Sequence, residues 1–224
     1  MIQSTPPNQP QPIPRAAAIA GLIFSLLMLI TLGIIRVAIP EGLAEQSMVN
    51  ARFGRALTLA LHLVPFAGLA FLWFIGVLRN RMGAAEDQFV ATVFLGSGLL
   101  FVGSLFAATA VAGAVLGSSH ALPGQQVSVD VYYFAKQMAH AFLNIFAVKM
   151  AGVFIFSTCV IALRTAILPR WIAFSGFACG LTLLLVISNW MWIAMLFPLW
   201  TILVSVHILA AQRKSKGQRH LEAS

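Results

Sequence analysis

Apolar residues fall into long unbroken runs, separated by short polar segments that carry most of the arginine, lysine and acidic residues. A membrane-spanning helix needs about 20 mostly apolar residues at 1.5 Å of rise each. Residues 16–39, 56–78, 89–116 and 134–163 each meet that length. The last apolar stretch, Trp171 to Ala211, is about twice one span, and Ser188-Asn189-Trp190 near its middle divides it into 171–188 and 190–211. The pattern predicts an all-α integral membrane bundle of six transmembrane helices over residues 16–211. Residues 1–15 hold five prolines among Gln, Asn, Ser and Thr, a composition that buries no core and reads as a disordered cytoplasmic tail. Residues 212–224 form a basic cytoplasmic tail. The 16–39 run is too long for a signal-peptide core and lacks a small-residue cleavage site, so it is retained as the first span.

Composition agrees with lipid as the main solvent. Charged residues are 9% of the chain, AVILMFWYC residues are 60%, and mean hydropathy is +0.91, whereas a soluble domain carries about 25% charge. The net charge of +8 does not point to nucleic acid, because the basic residues sit between apolar runs and at the C-terminus. With six spans one side holds Arg15, Arg79, Arg81, Arg164, Arg170, Arg213, Lys214, Lys216 and Arg219, and the other holds Arg36, Arg52, Arg55 and Lys136. The positive-inside rule then places both termini in the cytoplasm, in a multi-pass protein of the inner (plasma) membrane. Trp73 and Trp171 fall at inner ends, and Tyr132, Tyr133, Trp190 and Trp192 at outer ends, as interfacial belts require. Between spans, Pro40 to Arg55 has the character of a short amphipathic surface helix, and Gly117 to Asp130 reads as irregular. No period of 20–50 residues repeats, so an inverted-repeat transporter has no support.

Small residues mark the expected packing faces. Ser104, Ala108 and Ala112 recur every four positions and lead into Gly113-x-x-x-Gly117; the fifth helix carries Gly176-x-x-x-Gly180. Small residues let helices approach closely in lipid, so these two helices are expected in the bundle interior, or at an interface with a partner membrane subunit or a second copy.

Lys149 stands near the middle of the fourth span, where a charge is costly and usually functional. All six acidic residues, Glu41, Glu45, Glu86, Asp87, Asp130 and Glu222, lie in loops or the tail. Lys149 is therefore neutral, wetted by a cavity, bound to carbonyls, or opposite a negative group on a ligand or partner. His140 and Asn144 share a stripe with Lys136 nearer the outer face, His62 lies at similar depth on the second helix just before Pro65, and Arg36 closes the first helix. Lys149, Asn144, His140, His62 and Arg36 are the candidate ligand-binding residues. His62 and His140 are candidate axial ligands to haem, but without a third ligand no metal is assigned. Nine positions separate His140 from Lys149, about 180° on an ideal helix, which puts them on opposite faces. Cys159 and Cys179 lie in apolar runs and form no disulfide framework.

Neither a nucleophile elbow, a zinc-protease motif, a phosphate loop, a dinucleotide fingerprint nor paired carboxylates occur, so no catalytic residue is named. The reading that results is a non-enzymatic polytopic membrane protein that binds a ligand or lipid, or serves as accessory subunit of a membrane complex. The rivals are a small-molecule or anion transporter or channel, and a haem- or quinone-binding redox protein; a retinal protein lacks the counter-ion carboxylate. The segment Arg164-Thr-Ala-Ile-Leu-Pro169-Arg170-Trp171-Ile-Ala-Phe-Ser-Gly176, with Leu196-Phe-Pro198-Leu-Trp200 beyond it, resembles uncharacterised bacterial polytopic membrane families that place an arginine-flanked Leu-Pro-Arg-Trp loop before a glycine-containing helix. The resemblance covers the last quarter of the chain and implies topology, not activity.

Overall fold

The computed structural model describes residues 15–38, 51–82, 88–121, 128–165, 168–186 and 191–221. Among them every regular element is a helix: α1 (Arg15–Ala38), α2 (Ala51–Met82), α3 (Gln88–Ala121), α4 (Val129–His140), a π segment (Ala141–Ala147) continuous with α5 (Val148–Thr165), α6 (Arg170–Leu185) and α7 (Met191–Leu221). The expected Pro-rich tail and the expected surface helix after Pro40 lie outside the described residues, except that α2 already begins at Ala51. The expected irregular segment after Gly117 starts later, since α3 continues to Ala121.

Five helical stretches are long and apolar enough to cross a membrane: Arg15–Ile35, Arg55–Arg79, Gln88–Ser118, Asp130–Thr165 and Trp192–Gln212. The last apolar run does divide in two, but its first half differs from expectation. α6 has 16 residues, about 24 Å of helix against a hydrocarbon core of about 30 Å. It ends because Val186 leaves helical geometry for extended backbone (φ −74°, ψ 122°). Its start is built by Pro169, also extended, whose carbonyl accepts from the Ile172 and Ala173 amides at 3.0 and 3.3 Å. Proline suits a helix entry because the amide it lacks would have had no helical partner there.

Phenylalanines fill the centre. Phe24 of α1, Phe71 and Phe74 of α2, Phe94 and Phe101 of α3, Phe154 of α5 and Phe197 of α7 are all buried. Their rings meet at centroid distances such as 4.6 Å for Phe24–Phe71, 4.8 Å for Phe94–Phe154 and 4.9 Å for Phe101–Phe197, mostly tilted or edge-on, as the ring quadrupole favours. Gly21 lies against Ser205, and Phe24 against Phe197. Rising residue numbers on α1 thus meet falling ones on α7, so the start of α1 and the end of α7 share one end of the bundle.

α6 contributes no ring to this cluster and packs outside it, on α5 and α7. The approach is close because both backbones meet at glycine: a Cβ added to Gly152 would stand 3.0 Å from the Gly180 carbonyl oxygen, and one added to Gly180 would stand 3.1 Å from that of Gly152. Gly176 faces Cys159 and Trp200, whose indole Nε1 donates to the Ile172 carbonyl at 3.5 Å. Gly176 and Gly180 therefore serve packing within the chain. Helix α3 is less enclosed by its own chain at one end. Ala108 is buried, but a Cβ on Gly113 would touch only Leu61, at 3.8 Å, and one on Gly117 would touch nothing. Near Gly113 and Gly117 the small residues leave room instead of seating a neighbour.

Candidate functional site

Lys149 lies on the first turn of α5, opposite the end of α6. Its Nζ donates to the carbonyls of Leu183 at 3.0 Å, Leu184 at 2.7 Å and Val186 at 2.9 Å. Helix ends leave their last carbonyls without intrahelical donors, and lipid offers no water to replace them. An ammonium has three N–H bonds and here finds three acceptors, whereas a neutral amine has only two. Its positive charge also faces the negative end of the α6 dipole. Of the four ways of satisfying Lys149 that the sequence leaves open, the structure contains the carbonyl one, and all three donors are engaged.

The π segment ends two residues before Lys149 and separates it from His140. A π turn inserts about one residue, equivalent to roughly 100° of phase on a 3.6-residue helix. The ideal-helix separation of about 180° between His140 and Lys149 therefore does not carry across this segment. Asn144 sits inside the π segment, and its Nδ2 donates to the His140 carbonyl at 3.3 Å. His140 is half-buried and Lys136 is exposed on α4. Arg36 belongs to α1, but its side chain lies outside the described residues. Asn144 and Lys149 bond to backbone of their own chain, and no group of three or more His, Cys, Asp or Glu side chains that could hold a metal occurs among the described residues.

His62 belongs to a different feature. It lines a groove of about 690 Å³ between α2 and α3. The α2 wall is Thr58, Leu61, His62, Pro65 and Phe66, spaced as one helix face; Phe106, Thr109, Ala110, Gly113, Leu116 and Gly117 form the α3 wall. The groove has a local cause. Gly68 lets the Phe106 ring pack directly on the α2 backbone, which fixes the two helices together below the groove. Above that contact, Gly113 and Gly117 remove the side chains that would have filled the gap. The α3 wall runs from Phe106 to Gly117, about 16 Å of helix, or roughly half of a 30 Å core. Sequence reasoning noted His62 and the α3 glycines separately; Pro65 and the antiparallel register of α2 and α3 join them.

Trp171 and His207 meet edge-on at 6.4 Å where α6 starts and the apolar part of α7 nears its end. Both cysteines are free thiols. The chain matches no family model, no curated protein and no solved structure.

Proposed function

We propose that this chain is a non-enzymatic, six-span protein of the bacterial inner membrane, with both termini cytoplasmic, that binds a lipid in the groove between α2 and α3. The groove carries the reading. It is mainly apolar and one leaflet deep, and it lies within the 300–1,000 Å³ range of small-molecule sites. The central phenylalanine cluster supports binding over conduction, because closely packed rings occupy the middle of the bundle. An even number of crossings is supported by α1 starting and α7 ending at the same end of the bundle. α6 serves as the sixth crossing although it falls about 6 Å short of the core, because Lys149 supplies donors to its buried end and bilayers thin around short spans. The resemblance of the Arg164–Gly176 segment to polytopic membrane families fits the same topology.

The test is lipid retention. The wild-type chain and Gly113→Phe, whose ring would enter the groove, are purified in mild detergent, and bound lipid is extracted and compared by mass spectrometry. A species enriched in wild type and depleted at least about threefold in the variant, at equal thermal stability, is expected. Identical bound lipid in the two proteins would refute the assignment.

A further inference from the structure

Apart from its apolar walls, the groove presents hydrogen-bond acceptors. His62 Nδ1 lies 2.7 Å from the Thr58 carbonyl oxygen. A carbonyl can only accept, so Nδ1 carries the proton, and in that tautomer of the imidazole Nε2 presents a lone pair. Among the described residues Nε2 has no partner. One turn along, Pro65 has no N–H to give the Leu61 carbonyl, which would be its helical partner, and both residues line the groove. The opposite wall supplies little in return, since the Thr109 hydroxyl already donates to the Leu105 carbonyl at 2.6 Å. Thr58 also lines this wall with a hydroxyl, but a ligand that satisfies His62 Nε2 must bring its own donor.

Depth narrows the class further. Seven residues of α2 separate Arg55, at the end of the span, from His62, which sets the imidazole about 10 Å inward. A phosphate or carboxylate at that depth would lose most of its hydration, whereas a hydroxyl needs only an acceptor. Below His62, Phe66, Leu69 and Trp73 continue the same face of α2 and are all exposed, an apolar track for a tail.

We infer that the ligand is an uncharged lipid with a hydroxyl head group: the O–H donates to His62 Nε2, the head fills the space beside Gly113, and the tail lies along Phe66, Leu69 and Trp73. This rests on the lipid-binding reading of the groove and adds the chemistry of the head.

The test uses the full chain in nanodiscs, with protein-free nanodiscs as the partition control, and calorimetric titration of three probes of equal chain length. These are 4-dodecylphenol, its methyl ether, and dodecanoate. In wild type the phenol binds about tenfold tighter than the ether, the value of one satisfied hydrogen bond. His62→Leu removes that preference while both probes still bind. Gly113→Phe, or Ala110→Phe should the first variant fold poorly, weakens both. Equal affinity of phenol and ether in wild type, with both lost on blocking the groove, overturns the hydroxyl assignment and leaves the groove standing. Tighter binding of dodecanoate than of the phenol also overturns it, in favour of an anionic head. Binding that is indifferent to both blocking variants overturns the groove reading itself.

Discussion

Lys149→Met is the most informative single change in the bundle. Methionine keeps most of the stem's length and removes the ammonium. Two effects oppose each other. Taking a charge out of an apolar layer is favourable, and for buried ion pairs replaced together it can stabilise by 1–4 kcal/mol. Here only one partner can be removed. The carbonyls of Leu183, Leu184 and Val186 belong to the backbone and stay behind without donors. Each orphaned acceptor costs about 1 kcal/mol, or about 0.6 by the average of coupling measurements within membranes. Three of them, plus the lost interaction with the α6 dipole, come to about 2–4 kcal/mol against the variant. At about 2–4 °C per kcal/mol for a chain of this size, the midpoint of thermal unfolding falls by roughly 5–15 °C. Detergent-solubilised protein followed by tryptophan fluorescence reads the midpoint, and hydrogen exchange over residues 180–186 reads the site, where protection should drop first. Lys149→Arg should recover part of the loss, because a planar guanidinium keeps the charge but cannot place three donors as a tripod. A methionine variant as stable as wild type, with unchanged exchange at the end of α6, would show that those carbonyls never needed the amine, and the account of the short helix would fall.

Two further outcomes follow from the glycines and the topology. Gly176→Leu should cost about 1–3 kcal/mol by overpacking, because even its Cβ would collide with Cys159 Sγ and come within 2.8 Å of Trp200 Nε1, while Gly113→Leu should stay within about 0.5 kcal/mol of wild type; equal losses in a thermal melt would refute the distinction. In a background with Cys159 and Cys179 replaced, single cysteines at positions 47 and 126 should react with an impermeant thiol reagent in intact cells, and cysteines at 81 and 214 only after permeabilisation. Labelling at 214 in intact cells with protection at 81 would mean an odd number of crossings and would remove α6 from the list of spans.

The helical class and the long spans were legible because lipid imposes a coarse rule: about 20 apolar residues, closed by charge. That rule is insensitive to register, so it located the ends of α1 and the split between α6 and α7 within a few residues. It was least informative where a polar residue inside a span finds its partner. Nothing in the neighbourhood of Lys149 in sequence announces the carbonyls of α6, which lie 34 to 37 residues away and are chemically identical to every other carbonyl in the chain. The available signal was indirect. The whole run from Trp171 to Ala211 is scarcely two full spans and leaves nothing for a turn, so one of its helices had to be short. A short helix in lipid needs a donor at its buried end, and Lys149 is the lysine set deep in an apolar run.

The α3 glycines show the complementary difficulty. A small-xxx-small pattern records that side chains are missing, not what takes their place. In α6 the vacated space admits the backbone of α5, because Gly152 is itself a glycine and each of the two glycines faces the other's carbonyl oxygen. In α3 the facing residues at the same spacing are Leu61, His62 and Pro65, none of which lets a backbone approach, so the same pattern yields a groove. What separates the two outcomes is the partner face, and that is decided by which helices the bundle sets side by side. His62 acquires its significance the same way. In sequence it is one of two histidines at comparable depth, a pair that could ligate haem but more often bonds to its neighbours. In the bundle its Nδ1 proton is spent on its own helix, and Pro65 withholds a donor one turn away. The groove is thereby left with acceptors in an apolar wall, and a hydroxyl brings the one uncharged donor that the imidazole can take.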